Sequence, residues 1–270
     1  MIYLILGSSG FLGTHLSSYL HIQGHTVSYF DIENNYREDL RNSNNKILMK
    51  LIQTSDFIFF LAFDVGSASY LKANDENYNY IENNVKILTN TFAQLKSSKK
   101  PFIFISSQMS NMSYMTYGLL KKIGEKYTKS INGIFVRLWN IYGNENYSSK
   151  SHVITDFVYN AKSKGLINIK TTGKEKRQFL HVYDCCECLY IISKNYEKID
   201  RNEIIDVTSF EWINIYQVAS KINQILKTIE ITTTNIKADF DYESEPSSYI
   251  LKFWCPCIGL DDGLSSLLKQ

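Results

Sequence analysis

Apolar and polar positions alternate along this chain in two periods, one of strands and one of helices. Met1-Ile2-Tyr3-Leu4-Ile5-Leu6 is a continuous apolar run, the pattern of a strand covered on both faces. From Thr14 to Gln23, Leu16, Tyr19 and Leu20 recur at helical spacing, and Gly24 closes the segment. Thr26 to Phe30 predicts a second strand, ending on Asp31. Asn34 to Asn45 is polar and loop-like, and Ile47 to Ile52 predicts a short helix. Phe57 to Ala62 reads as another buried strand, whereas Asp64 to Asn79 follows neither period and reads as irregular. Glu82 to Lys96 predicts an amphipathic helix with Val85, Leu88, Phe92 and Leu95 on one face. Pro101 precedes the strand Phe102 to Ile105, which runs out at Ser106-Ser107. Tyr117 to Ser130 predicts a helix carrying Leu120, Ile123 and Tyr127, followed by a strand from Ile134 to Leu138.

Strands alternating with helices predict an α/β fold, a Rossmann-like doubly wound parallel sheet. After Gly143 the pattern changes. Helices are expected at Val153 to Lys164, Asp184 to Tyr196 and Trp212 to Lys227. Short strands are expected at Ile167 to Thr171, Phe179 to Val182 and Ile204 to Val207, and the chain is polar from Thr232 until Tyr249. Residues 1–150 are therefore expected to form a nucleotide-binding domain. Residues 151–270 are expected to form a smaller mixed α/β substrate lobe, interleaved with it.

Composition narrows the class. With 270 residues, 44% hydrophobic content and a net charge of +2, the chain has mass for a sizeable core and no basic surplus for nucleic acid or anionic membrane. Its longest apolar run, Phe57 to Phe63, is too short to cross a bilayer, and no secretion signal precedes the first strand, so a cytoplasmic protein is expected. Five cysteines stand at Cys185, Cys186, Cys188, Cys255 and Cys257. The spacings C-C-x-C and C-x-C do not match zinc pairs, so small buried side chains and no metal are expected.

The candidate chemistry starts at Gly7-Ser8-Ser9-Gly10-Phe11-Leu12-Gly13, between the first strand and the first helix. Strand, glycine turn, helix, strand and acid is the layout of a dinucleotide-binding βαβ unit. The turn lets backbone approach a pyrophosphate, and the helix N-terminus offers it free N–H groups. Asp31 lies eighteen residues after Gly13, where a carboxylate binds ribose hydroxyls and repels a 2′-phosphate; no Arg or Lys follows until Arg37. The cofactor is accordingly expected to be NAD. Tyr117 and Lys121 are one helical turn apart, so phenol and ammonium share a face. A cation there lowers a phenol's pKa and makes it a usable base, and Ser107 can hydrogen-bond the same substrate oxygen. Ser107, Tyr117 and Lys121 are the candidate catalytic residues.

Together these residues resemble the extended short-chain dehydrogenase/reductases, specifically the NAD-dependent nucleotide-sugar epimerase/dehydratase family. Further marks are Asp39-Leu40, Leu61-Ala62-Phe63, Asn84-Val85, the stretch Arg137 to Gly143, the stretch Arg177 to Asp184, and Trp254-Cys255-Pro256 with Leu260 to Leu264. The resemblance implies that Tyr117 is the catalytic acid or base, that Lys121 binds the nicotinamide ribose, and that Ser107 polarises the reacting hydroxyl. It implies cofactor contacts from Gly7, Ser9, Gly10, Phe11, Leu12, Gly13, Asp31, Asp39, Leu40, Leu61, Ala62, Phe63, Asn84, Tyr117 and Lys121. It places Asn140 and Arg177, besides Ser107, on a nucleotide-sugar substrate, and it implies a homodimer packed through Glu82 to Lys96 and Tyr117 to Ser130.

Departures from the family pattern bear on the reaction. Only nine residues separate Ser107 from Tyr117, where a longer loop is usual, so a more open or reshaped cleft is expected. Gln108 and Met109 stand where the 4,6-dehydratases carry an Asp-Glu pair, and Gln178 replaces the usual Asp after Arg177. Dehydration needs such carboxylates, so it is disfavoured. An epimerase is the leading expectation, a reductase of nucleotide-linked keto-sugars the second, and a non-catalytic nucleotide-binding protein the third.

Overall fold

The computed structural model describes residues 1–227, 229–238 and 244–269. Residues 239–243 of the polar stretch before Tyr249 lie outside the described part. The first half alternates strand and helix: β1 Ile2–Leu6, α1 Phe11–Ile22, β2 Thr26–Phe30, α2 Lys46–Thr54, β3 Phe57–Phe60, α3 Ala68–Ala73, α4 Tyr78–Ser98, β4 Phe102–Ser107, α5 Thr116–Ser130 and β5 Ile134–Leu138. The second half runs β6 Asn140–Tyr142, α6 Val153–Lys164, β7 Leu166–Asn168, β8 Lys176–Arg177, β9 Phe179–His181, α7 Val182–Lys194, β10 Asp206–Val207, β11 Ile213–Asn214, α8 Ile215–Leu226, β12 Glu230–Thr232 and α9 Leu260–Lys269.

Six strands form one sheet in the order β10-β5-β4-β3-β1-β2, and every pairing is parallel. The chain steps from β1 outward to β2 and then crosses back to β3 on the other side of β1. That reversal leaves a crevice at the carboxyl ends of β1 and β3, where open α/β sheets bind ligands. Alternate side chains on each strand bury to opposite faces. Tyr3, Ile5, Phe59 and Val136 pack with Leu16 and Leu20 of α1 and Leu189 and Ile192 of α7. Leu4, Leu6, Phe60 and Phe104 pack with Leu48 of α2, Leu88 and Phe92 of α4 and Leu120 of α5.

Residues after 151 go to two places. β10 extends the large sheet beside β5, and α7 packs on α1. α6, α8 and α9 enclose a separate core of Ile154, Phe157, Val218, Ile222 and Leu264, flanked by three two-stranded pairs.

The α/β fold and its parallel sheet are as expected, and α6 has the predicted bounds. Elsewhere local capping overrides the pattern. The stretch expected to be irregular contains α3, because the Ser67 hydroxyl caps it, and the Asn77 side chain starts α4 before Glu82. α4 turns Asn84 inward and leaves Val85 38% exposed, so a buried amide replaces the expected valine. α5 departs further: Lys121 and Glu125 face inward while Ile123 and Tyr127 face out. Cys185, Cys186 and Cys188 are buried in α7, and burial pushes the thiols up; Cys255 and Cys257 are exposed, contrary to the expectation of burial. Among the described residues no helix is long and apolar enough to cross a membrane, and no group of three or more His, Cys, Asp or Glu could hold a metal.

Candidate active site

The crevice opens into a cleft of about 1680 Å³, lined from one end by the Gly7–Gly13 turn and from the other by β7, β8 and the 236–238 segment. Gly7 has φ +91°, and a Cβ there would lie 2.7 Å from the backbone nitrogen of Ala62, so glycine lets the β1 and β3 ends meet. A Cβ at Gly13 would lie 2.2 Å from the Gly7 carbonyl oxygen, so α1 can sit against the turn. Gly10 differs, because the nearest atom its Cβ would meet is the Gly7 oxygen at 3.5 Å, an ordinary contact. The space there is left to a ligand. The buried hydroxyl of Ser9 has no partner among the described residues, which also fits a phosphate oxygen.

Asp31 ties this turn to the end of β2. Its carboxylate accepts from Ser9 N–H at 2.8 Å and Glu33 N–H at 3.0 Å. Glu38, which belongs to no motif, also lines the cleft and accepts from Asp31 N–H at 3.0 Å. Two carboxylates at this end fit a ribose diol and repel a phosphate there. Asp39 and Leu40 line the same end. The Asp39 carboxylate is gripped by both Nε and Nη2 of Arg41 at 2.9 Å; burial works against its charge, but Arg41 holds its pKa below the usual value. Phe11, Leu12, Leu61, Ala62 and Phe63 line the cleft too, whereas Asn84 does not. Asn84 is fully buried, accepts from Asp64 N–H at 2.9 Å and donates to the Tyr80 carbonyl at 3.1 Å; it positions the segment after β3.

Ser107, Tyr117 and Lys121 are brought together on the cleft floor. Ser107 lies close enough to the Tyr117 phenol to oppose the rise of its pKa. Lys121 donates to the Ile105 carbonyl at 2.8 Å and sits 3.9 Å above the Phe63 ring. The expected lowering of the phenol pKa is not seen. Burial pushes Tyr117 up to about 12, with Ser107 the opposing influence, because Lys121 faces the ring at 5.7 Å and its own charge is suppressed. Burial brings Lys121 down to about 7, against the pull of Glu125. Glu125 accepts from Arg137 Nε and Nη2 at 2.7 and 2.8 Å and from the hydroxyls of Ser106 and Ser110. Burial raises its pKa, but these partners outweigh it and keep the value low.

The short connector before Tyr117 is folded. Gln108–Asn111 make one 3₁₀ turn capped by Ser107, and Met112 and Met115 are buried. Gly118 in the first turn of α5 makes room, since a Cβ there would lie 2.3 Å from the Met109 carbonyl oxygen and 2.4 Å from that of Met112. On the far bank, Asn140 donates to the Gln178 carbonyl at 3.1 Å, and Arg177 lines the cleft. His152 is held at 2.8 Å by Glu145, which Thr155 also bonds. Lys150 reaches across to Asp64 at 2.9 Å and lies 4.3 Å over the Tyr70 ring, whose hydroxyl donates to the same Asp64 oxygen.

A doubly wound sheet, a phosphate-accommodating glycine turn and a Ser–Tyr–Lys group in one cleft define a nicotinamide-dinucleotide enzyme class. Residues 3–208 match the model of the NAD dependent epimerase/dehydratase family, and the chain belongs to that family. Its cofactor is NAD, which the turn and the Asp31–Glu38 end fit. The chain is 26% identical over 260 residues to a UDP-N-acetyl-alpha-D-glucosaminuronate decarboxylase of Bacillus cytotoxicus, covering 82% of this chain and 79% of that protein. It is 24% identical over 210 residues to a dTDP-D-glucose 4,6-dehydratase of Dictyostelium discoideum, covering 74% of this chain and 44% of that one. In fold it is similar to a UDP-glucose 4-epimerase of Thermotoga maritima, with a TM-score of 0.84, 16% identity, and coverage of 100% and 98% of the two chains.

Proposed function

We propose that the protein is an NAD-dependent nucleotide-sugar epimerase working through Ser107, Tyr117 and Lys121. The carrying observation is that Ser107, Tyr117 and Lys121 line the same cleft as the glycine turn. NAD supplies a reversible hydride acceptor when bound. Tyr117 takes the proton of the sugar hydroxyl and later returns it, Ser107 steadies the same oxygen, and Lys121 lies 5.7 Å from the centre of the Tyr117 ring. A phenol at about 12 holds its proton at neutral pH, so Tyr117 acts as a base only once Lys121 carries its full charge. Asn140 and Arg177 hold the nucleotide diphosphate, for which a guanidinium fork is suited. Gln108 and Met109 offer no carboxylate beside Ser107, which weighs against dehydration.

A second reading, decarboxylation of a nucleotide-linked uronate, is favoured by the likeness to the Bacillus decarboxylase. A keto group placed beta to a carboxylate lets carbon dioxide leave without an added acid-base pair, so the same residues suffice. Reduction of a keto-sugar is separated by cofactor behaviour, because a reductase must exchange NADH at every turnover.

The test incubates the NAD-loaded protein with UDP-, GDP-, CDP- and dTDP-sugars and uronates and follows them by NMR. Epimer formation without net NADH consumption is expected. Release of carbon dioxide would replace this reading with decarboxylation, and stoichiometric NADH oxidation with a keto-sugar would replace it with reduction. Tyr117→Phe should lower turnover roughly 10²- to 10⁴-fold with NADH binding kept; undiminished activity would favour a non-catalytic binding protein.

We also propose a homodimer through α4 and α5. The outward side chains Val85, Leu119, Ile123 and Tyr127 on those helices are 38 to 46% exposed and apolar or amphipathic.

A further inference from the structure

At the end of the cleft beyond Arg177, one acidic side chain has an unmet hydrogen-bonding capacity. Glu175 is 8% exposed and lines the cleft. Its Oε1 accepts from the Thr171 hydroxyl, while its Oε2 is buried with no donor among the described residues. A buried carboxyl oxygen without a donor is costly, so a small shift of the side chain toward the cleft that lets a donor reach it is favoured. Glu175 and Arg177 are two residues apart on an extended segment, and Lys176 between them faces out. They therefore share a face, with Glu175 ~6–7 Å further along. Given a diphosphate at Arg177, the group that reaches Glu175 is the nucleoside.

The surroundings suit a flat ring. Ile169 and Ile215 are buried walls, and Ile236 stands 64% exposed at the rim, an apolar side chain that no described residue covers. The 233–238 segment that carries Ile236 is pinned by Thr172 N–H to the Ile236 carbonyl at 2.8 Å and Thr234 N–H to the Thr171 carbonyl at 3.0 Å. That pinning sets Ile236 beside the Thr171–Glu175 turn.

We propose that Glu175 reads the nucleobase and selects guanine; this rests on the nucleotide-sugar reading above. A carboxylate only accepts hydrogen bonds, and those it accepts are strong. Guanine presents N1–H and N2–H₂ side by side, an edge of donors alone. Uracil and thymine present a single N3–H between two carbonyls that a carboxylate repels. Cytosine offers its amino group beside a bare N3. A site that leaves a carboxyl oxygen unpaired discriminates most against bases that pair it poorly.

The test measures binding of GDP, UDP, CDP and dTDP to the NAD-loaded full chain by calorimetry. GDP should bind about tenfold to a hundredfold more tightly than the others, the range of a paired base contact. Glu175→Gln, which keeps the shape and gains an N–H for a carbonyl, should erase that ratio. Ile236→Ala should weaken all four without changing the ratio, and NADH binding reports that each variant is folded. UDP or dTDP binding as tightly as GDP, or a ratio unmoved by Glu175→Gln, would overturn the assignment and leave the nucleotide-sugar reading standing. Failure of all four to bind would overturn both.

Discussion

Lys121 is the residue whose setting says most. It is fully enclosed, bonded to a carbonyl and faced by an aromatic ring, and burial brings it down to about 7. In the unfolded chain a lysine stays protonated to about 10.4. Between those values the unfolded state binds more protons than the folded one, so stability contributed by this group rises with pH from about 7 to about 10, at most ~1.4 kcal/mol per unit. Buried cysteines and tyrosines with raised values oppose this at the alkaline end. The difference between wild type and Lys121→Met cancels them. Denaturant titrations of the two proteins without cofactor should therefore diverge in favour of wild type as pH rises from 7 to 10, and parallel curves would show that Lys121 keeps its ordinary charge. Directly behind it, Glu125 balances Arg137 and two serine hydroxyls. Glu125→Gln leaves a guanidinium buried with a poorer partner and should cost about 3–5 kcal/mol, read from the same titrations.

At the scale of elements, the connector between β4 and α5 governs the geometry of Ser107 against Tyr117. It is short, yet it is packed down on the start of α5 at Gly118. Gly118→Ala must push the Met109 and Met112 carbonyls away, and should destabilise by about 1–3 kcal/mol and lower kcat more than it weakens NADH binding. Equal losses in both would place the strain in the cofactor end instead. This packing is not legible in the sequence, where nine residues between Ser107 and Tyr117 imply only a more open or reshaped cleft. The glycine turn was legible because its constraint is local: a strand, a turn and a helix that must touch within a dozen residues. α4 and α5 were legible as helices but not in their facing. A hydrophobic stripe assumes that polar residues go outward, and Asn84, Lys121 and Glu125 go inward with partners of their own. The displaced apolar side chains, Leu119 and Ile123 among them, are then left outside. Leu119→Glu with Ile123→Glu should convert a dimer to a monomer in light scattering without loss of fold; a wild-type monomer at micromolar concentration would remove the dimer.

At the scale of the whole molecule, the parallel sheet was legible in the alternation of strand and helix, but its strand order was not, and β10 comes from the stretch assigned to the second lobe. What joins the two banks of the cleft was not legible either. Lys150 and Asp64 are 86 positions apart, and nothing in either neighbourhood marks the other. The same holds for Glu38 beside Asp31 and for the unpaired oxygen of Glu175, which exist only once loops have been brought together. The Lys150–Asp64 contact has a consequence of its own. It is a partly exposed ion pair spanning the mouth of a cleft that holds the cofactor, and such pairs weaken as salt screens them. Its expected effect is on how fast the cofactor leaves. Stopped-flow release of fluorescent NADH should quicken with ionic strength in wild type and lose that dependence in Asp64→Asn. On the epimerase reading, in which one cofactor stays through many turnovers, this pair would act as a latch whose hold is set by the surrounding electrolyte.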